Sequence, residues 1–167
     1  MKIIKFFVYS ILFAALIVGG VLFGARFADG PLEIIAGGPF RSGELVTGPE
    51  PDWSFVRDLE TVEFQLERPP RSRTTWIVEH EGRIYIPSGY MTTAWGKIWK
   101  QWPLEAERDG SSILRVGDQL YQRQLIRRKT GPEVAAVVAL IAEKYNIPAT
   151  PEAVASDYLW LFEMAPR

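Results

Sequence analysis

The sequence has no cysteine and a single histidine, His80, among its 167 residues. Disulfides, iron–sulfur clusters and thiolate zinc sites are therefore excluded, and one histidine cannot build a His-rich metal centre. Basic and acidic residues nearly cancel, with 19 Lys and Arg against 20 Asp and Glu. Because a general nucleic-acid binder needs a basic surplus to displace counterions from phosphates, nucleic acid is not expected as a partner.

Charge is also absent from the first long apolar run, which extends over residues 6–25. As a helix rising about 1.5 Å per residue, this run covers roughly 30 Å, the thickness of the hydrocarbon core of a bilayer. It lacks the polar stripe that the core helix of a soluble domain shows. The sequence therefore predicts a transmembrane helix over residues 6–25, with membrane lipid as its partner.

The flanks of the apolar run suggest an orientation. Two lysines precede it, and the basic Arg26 that follows is soon offset by two acidic residues. This slight bias favours a cytoplasmic N-terminus at residues 1–5 and a single-pass protein of the cell inner membrane with a non-cytoplasmic, periplasmic domain. The alternative is a cleaved signal peptide, with an apolar region of about 7–15 residues and a small-x-small site. Arg26-Phe27-Ala28 matches such a site poorly, which favours a retained anchor.

Glycine and proline are frequent in residues 26–52. Prolines remove backbone donors and glycines raise the entropic cost of ordering a chain, so this linker is predicted to be a tether or an irregular wrap. Residues 53–167 have the apolar and aromatic content of one folded domain. Across the whole chain, 47% of residues are hydrophobic and 13% are aromatic, which excludes wholesale disorder.

Strand-like segments dominate the domain. Thr61–Glu67 alternates apolar and polar residues strictly, which indicates a half-buried strand. Arg73–His80, a turn at Glu81-Gly82, and Arg83–Ile86 form a predicted hairpin. Three further strands complete a predicted meander with turns at Asp109-Gly110 and Gly117-Asp118: Leu104–Arg108, Ile113–Val116 and Leu120–Arg128.

One amphipathic helix is predicted after these strands. Thr130-Gly131-Pro132-Glu133 has the spacing of a capping box, and apolar residues then recur at helical spacing from Val134 to Tyr145. Asn146 and Pro148 end the helix. Periodicity leaves Tyr158–Met164 open between a helix and a final strand. About six strands and one helix favour a small closed or partly closed barrel, because an open sheet would expose its edges.

This order of elements resembles the flavin-binding split β-barrels, the superfamily of pyridoxamine 5′-phosphate oxidase. Two motifs place the resemblance nearest to the deazaflavin-dependent nitroreductase family: the basic segment Pro70–Trp76, and the aromatic helical turn Trp95–Leu104 with its closing proline. The resemblance covers residues 59–167, although the glycines that usually flank the basic turn are missing. It implies a mainly β fold: a small antiparallel split β-barrel with a packed helix. This domain is preceded by one N-terminal transmembrane helix. The resemblance also implies that Tyr158–Met164 is the last strand.

The resemblance further implies a cofactor, FMN or a deazaflavin. Haem bound by His80 is the weaker choice, because a turn position is poorly buried. Guanidinium groups and hydroxyls suit phosphate oxygens, while indoles and ammonium groups suit a flavin ring and its charges. The predicted cofactor-binding residues are Arg71, Ser72, Arg73, Thr74, Thr75, Tyr90, Lys97, Trp99 and Lys100. The alternatives are an ordinary polar turn, and tryptophans (Trp95 and Trp102 included) that cap the barrel or lie at the bilayer interface.

Two functions are consistent with these patterns. The first is a membrane-anchored flavin- or deazaflavin-dependent oxidoreductase that reduces quinone or nitro compounds, with its cofactor at the interface of a homodimer. The second is a non-enzymatic, membrane-tethered binding or assembly module that has lost the cofactor. No catalytic residue is predicted. One histidine in a turn excludes a serine–histidine–acid triad, and Glu105 and Glu107 are interpreted as the solvated face of a strand.

Overall fold

The structure, a computed structural model, describes residues 2–167. A 3₁₀ helix covers Trp53–Asp58. The helices are α1 (Lys2–Ala25), α2 (Ala94–Trp99), α3 (Trp102–Arg108), α4 (Pro132–Tyr145) and α5 (Pro151–Ala155). The strands are β1 (Glu44–Leu45), β2 (Thr61–Glu67), β3 (Pro70–Trp76), β4 (Val78–His80), β5 (Arg83–Ser88), β6 (Ser111–Val116), β7 (Gln119–Arg128) and β8 (Trp160–Pro166).

The strands form one curled sheet in the order β3-β2-β6-β7-β8-β5-β4, with antiparallel pairing throughout that order. The two edge strands are neighbours in the chain, since only Ile77 separates β3 from β4. The ends of the sheet must therefore approach each other, and the sheet curls into a half-barrel. This confirms the predicted mainly β fold with helices.

The predicted strand Arg73–His80 is interrupted at Ile77. Its amide donates to the Tyr145 hydroxyl at 2.9 Å instead of to a strand carbonyl. Its own carbonyl accepts from the same hydroxyl at 2.9 Å and from Lys144 Nζ at 2.9 Å. Because side chains of α4 satisfy this peptide group, the chain leaves the β2 ladder and joins β5 without a buried unpaired polar atom. The predicted hairpin around Glu81-Gly82 is confirmed.

The main core fills the concave side of the sheet. Trp102, at the start of α3, packs edge-on against Phe64 with ring centroids 5.0 Å apart and lies 5.3 Å from the ring of Phe162. Further buried members come from several strands, among them Leu66, Ile86, Leu114, Leu125 and Met164. Helix α3 therefore plugs one end of the half-barrel.

The prediction of a strand at Leu104–Arg108 is wrong, because these residues belong to α3. Trp102 and Ala106, four residues apart, both face the core, which is helical rather than strand spacing. Glu105 and Glu107 are accordingly not on a strand face. Glu105 pairs with Arg73 at 3.4 Å, and Glu107 pairs with Arg127 at 2.6 Å.

Helix α4 packs on the convex side, where Val137 and Ile141 contact β4, β5 and β8. The predicted capping box is wrong: the N-cap residue is Gly131, without a side-chain hydrogen bond, and Pro132 occupies the first turn. The predicted end is confirmed, since Asn146 adopts the left-handed conformation, φ 49°, that commonly terminates helices. The final segment is a strand as expected, although it runs from Trp160 to Pro166.

Helix α1 is long and apolar enough to cross a membrane, by length and composition. It begins at Lys2, four residues before the predicted span, and only Ala25 is buried against the rest of the chain. The linker then wraps along the barrel. It contributes β1, which pairs in parallel with β7, and a bridge between Gly37 and Ser72 of β3.

Candidate ligand-binding cleft

A cleft of about 640 Å³ opens beside the edge strand β3. This volume is within the range of small-molecule sites in proteins, roughly 300–1,000 Å³. Its walls come from the end of β3, the loop after β5, the loop between α4 and α5, and one turn of the linker. The lining residues are Glu33, Ile34, Glu60, Thr61, Thr74, Thr75, Trp76, Pro87, Gly89, Tyr90, Lys100, Ile147, Pro148, Ala149, Ala153, Tyr158 and Leu159.

Lys100 places an ammonium group in the cleft. It ends α2, and its Nζ lies 5.7 Å from the centre of the Tyr90 ring, a cation–π distance. Burial lowers the pKa of Lys100 from its usual value of 10.5. Because water solvates this charge incompletely, an anionic group of a ligand would stabilise it.

The loop that carries Tyr90 is locked to the start of α2. Thr93 caps the helix: its hydroxyl accepts from the Gly96 amide at 2.9 Å and donates to the Tyr90 carbonyl at 2.8 Å. Gly96 lies so close to this carbonyl that a Cβ there would clash with it. Tyr90 itself adopts φ 64°. Glycine at position 96 is therefore what allows Tyr90 and Lys100 to meet.

Aromatic rings border the cleft on two sides. Trp76 stacks on Tyr145, with centroids 4.4 Å apart and an interplanar angle of 10°. The Tyr145 hydroxyl is fixed by its bonds to Ile77, so the indole is held by a rigid partner. On the other side, Tyr90 packs edge-on against Tyr158 at 5.4 Å. Such surfaces suit a planar, largely apolar ligand.

Four of the predicted binding residues meet at this cleft: Thr74, Thr75, Tyr90 and Lys100. The sequence separates the two threonines from Tyr90 by about 15 residues and from Lys100 by about 25. The curl of the sheet brings them to one opening, because β3 and the loop after β5 both reach it.

The remaining residues of the basic segment lie elsewhere, and the predicted basic turn is wrong. Arg71, Ser72 and Arg73 lie within β3, where they hold other parts of the chain. Arg71 Nη2 donates to the Ala36 carbonyl at 2.8 Å, and Ser72 Oγ donates to the Gly38 carbonyl at 2.6 Å. Arg73 is half-buried, and burial is the main reason that its pKa falls to about 10, with the nearby Glu105 opposing the shift.

The aromatic segment is divided between core and solvent. Trp102 is buried in the barrel, as one of the alternatives predicted. Lys97 and Trp99 are exposed and do not line the cleft. Trp99 instead lies parallel to Trp95, with centroids 6.5 Å apart and an interplanar angle of 5°.

A second hollow, of about 690 Å³, lies under the linker on the β2–β6 side of the barrel. Its centre is an ion-pair network in which Arg115 contacts Glu63 at 2.5 Å and Asp29 at 3.1 Å. These groups satisfy one another, so the hollow is interpreted as a seam between linker and sheet. Within residues 2–167 no cluster of histidine and acidic side chains has the arrangement of a metal site.

The fold has solved counterparts. The conserved hypothetical protein Rv2991 of Mycobacterium tuberculosis superposes with a TM-score of 0.50 at 16% identity, over 73% of this chain and 82% of that one. A Listeria innocua protein described as a candidate pyridoxamine 5′-phosphate oxidase gives 0.47 at 11% identity, over 68% and 89%. The chain has a split β-barrel fold. The fold that the resemblance implies is confirmed by the topology of the sheet and by the first of these two structures.

No protein-family model and no curated protein matches the sequence of this split barrel. The likeness therefore rests on three-dimensional structure, and at these identities it concerns the fold alone.

Sequence reasoning missed part of the cleft of the split barrel. Trp76 was placed in a strand but not assigned to a site, although an aromatic residue at the end of an edge strand is a recognisable signal. Tyr158 and the loop Ile147–Ala149 carried no such signal, because they reach the cleft only through the packing of α4 and α5. Ile34 arrives from the linker, which the sequence left between a tether and a wrap.

Proposed function

We propose that the split barrel binds a flavin-type cofactor, FMN or a deazaflavin, in the cleft and acts as a membrane-anchored reductase of quinone or nitro compounds. The observation that carries this proposal is the convergence of Tyr90, Lys100 and the two threonines of β3 on one opening of suitable size. The split-barrel fold supports it independently. The proposal includes a location of the domain on the periplasmic side of the membrane, which the flanks of the apolar run favour. It also includes a homodimer, as in the first of the two functions above.

The cleft residues fit the ring portion of such a cofactor well. Trp76 and Tyr90 offer aromatic surfaces, and the loop between α4 and α5 adds aliphatic ones. Lys100 supplies the positive charge that an anionic ring nitrogen or tail would need. Thr74 and Thr75 line the same edge, and because successive strand side chains point to opposite faces, one hydroxyl of the pair can bind a further oxygen.

The fit to a phosphate held by arginines is poor. Ser72 is buried and bonded to the linker, and Arg73 is paired with α3, so neither is free to bind a phosphate. A phosphate in this cleft would depend on Lys100 and the threonine hydroxyls. The geometry therefore favours a planar ring with one anionic group over a ligand that needs several guanidinium contacts.

When bound, a flavin or deazaflavin supplies hydride or electron transfer, while the protein supplies position and electrostatics. In this chain, Trp76, backed by Tyr145, would offer the ring an aromatic surface at one wall of the cleft. Lys100 would hold an anionic atom of the cofactor near Tyr90. The apolar loop at Ile147 lowers the local polarity, which strengthens the effect of the lysine charge.

The test is a titration of the full-length protein, in lipid nanodiscs, with FMN and with a deazaflavin. Binding is followed by quenching of tryptophan fluorescence and by cofactor anisotropy. Replacing Lys100 by methionine removes a charge-assisted contact of about 1.5–3 kcal/mol, so affinity should fall about tenfold or more. Lys97→Met, outside the cleft, is the matched variant and should bind like the unmodified chain.

Two results would contradict the cofactor proposal. One is the absence of any spectral change at saturating concentrations of both compounds. The other is an equal loss of affinity in the Lys97 and Lys100 variants, which would place binding outside the cleft.

The second candidate function is a non-enzymatic binding or assembly module. It is favoured by one observation: Arg71, Ser72 and Arg73 are engaged within the chain rather than presented to a ligand. Under this hypothesis the purified protein shows no flavin or haem absorption and acquires none on reconstitution. A stoichiometric flavin spectrum after reconstitution would exclude it.

A further inference from the structure

Helix α2 turns its apolar face to the outside of the molecule. Trp95, Ile98 and Trp99 follow the i, i+3, i+4 spacing that places side chains on one helix face. They are 71%, 70% and 57% exposed, respectively. In a soluble amphipathic helix this stripe faces the core, so α2 is inverted relative to the usual arrangement.

The inversion is built into the local structure. The residue that α2 buries is Gly96, which packs against the Tyr90 carbonyl where no larger residue fits. Thr93 caps the helix and fixes its direction. With the glycine face held inward, the tryptophan face must point outward, and the parallel stacking of Trp95 on Trp99 keeps it ordered.

The end of α1 is joined to the neighbourhood of α2 by a chain of contacts. Residues 26–28, which leave α1, pack so tightly on Gly38 that a Cβ there would clash with their carbonyls. Gly38 is bonded to Ser72 of β3, and the next residue, Arg73, is paired with Glu105 of α3. Helix α3 directly follows α2. The exit of α1 is therefore connected, through the linker and β3, to the helix that follows α2.

A second exposed apolar group comes from the linker that leaves α1. The linker makes a tight turn closed by two hydrogen bonds between Leu32 and Ile35, of 3.0 and 2.8 Å. Ile34, at its tip, is 87% exposed and lines the same cleft as Lys100, the residue that ends α2. Ile34 and α2 thus flank one opening.

We infer that the α2 face, defined as Trp95, Ile98 and Trp99, inserts together with Ile34 into the surface of the bilayer that α1 enters. Tryptophan and aliphatic side chains on one face of a short helix are typical of segments that lie in the membrane interface. Lys97 is exposed beside the face and suits anionic headgroups, whereas Glu33 in the turn opposes them. The cleft mouth then lies at the lipid surface.

The bilayer fits this face better than a second copy of the chain does. A stable protein interface takes about 20–30 residues a side, far more than these four side chains. An insertion of a few aromatic and aliphatic groups needs no such area, because α1 already holds the domain at the membrane. The effective concentration of lipid at α2 is then high, and even a weak contact is populated.

The absence of native cysteine allows a direct test with single-cysteine variants of the full-length chain. Ile98→Cys is spin-labelled and placed in nanodiscs of phosphatidylethanolamine and phosphatidylglycerol that hold one chain each. The label should collide more with oxygen, which concentrates in lipid, than with a water-soluble nickel chelate. Ala139→Cys, an exposed position on α4, is the matched helical control and should show the reverse.

A second measurement uses native tryptophans. Brominated lipids should quench the fluorescence of the full-length protein, and Trp95→Phe/Trp99→Phe should lose most of that quenching. Trp53→Phe, which removes a buried indole of the core, should keep it. The inference is overturned if the Ile98 label is as accessible to nickel as the control. It is also overturned if the label is shielded only in discs that hold two chains. Neither measurement involves a cofactor, so failure here is distinct from failure of the proposed function.

Discussion

Helices α2 and α4 are both amphipathic, yet they turn their apolar faces in opposite directions. Val137 and Ile141 of α4 are fully buried against Tyr85 and its neighbours on the convex side of the sheet. The equivalent stripe of α2 faces outward and is exposed. Amphipathic spacing therefore identifies a face but not its partner, which depends on what the rest of the fold, or the membrane, places opposite.

The largest expected effect comes from truncating the two faces in parallel. Ile141→Ala removes a fully buried side chain and should lower the free energy of unfolding by about 2–5 kcal/mol. Ile98→Ala removes an exposed one and should change it by no more than about 0.5 kcal/mol in detergent solution. Both are measured by denaturant titration of the full-length chain, followed by near-UV circular dichroism. Equal losses would mean that α2 is packed in solution as α4 is.

The local spacing of apolar residues in the sequence predicted most helices and strands of the barrel. The strict alternation of Thr61–Glu67 coincides with β2 at both ends, and the helical period of α4 was recognised although its cap was misplaced. The failure at Leu104–Arg108 has a physical cause. A seven-residue helix offers only three buried positions, Trp102, Pro103 and Ala106, too few to show a period of 3.6.

The cleft was harder to predict, because its residues acquire their roles through distant contacts. Arg71 and Ser72 have a composition suited to phosphate, but their partners Ala36 and Gly38 are 35 and 34 residues away in a linker without a periodic pattern. No residue near the basic segment in the sequence indicates that the linker already occupies this edge of β3. The residues that do reach the cleft, such as Tyr90, follow from the curl of the sheet.

The linker extends the comparison, since polar contacts with β2 and β3 help to hold it on the barrel. Ser72→Ala removes the buried 2.6 Å hydrogen bond to Gly38 and should cost about 1 kcal/mol. The loss should appear as faster hydrogen exchange in residues 36–40. Ser156→Ala removes an exposed hydroxyl with a weak 3.4 Å contact and is the matched control. Unchanged exchange in the Ser72 variant would show that burial, as at α4, secures the linker.

The smallest effect is the pH dependence of Asp29, at the start of the linker. Its carboxylate accepts from the hydroxyl of Ser42 and from the Arg41 amide at 2.7 Å, and it faces Arg115. These hydrogen bonds, chiefly that of Ser42, lower the pKa of Asp29 from 3.8 to about 2. Because the folded-state pKa is the lower one, this stabilisation is complete above pH 3.8 and is lost as the pH falls through about 2.

Hydrogen exchange of the Arg41 amide reports this step directly, once intrinsic rates are corrected for pH. Protection should be constant above pH 4 and decrease toward pH 2. Asp29→Asn should be less protected at neutral pH and should lack the acid-dependent decrease. Because the carboxylate is exposed, added salt should weaken its ionic contact with Arg115. An Arg41 amide that stays protected at pH 2 would show that this end of the linker is held by packing, and the contrast with α4 would then disappear.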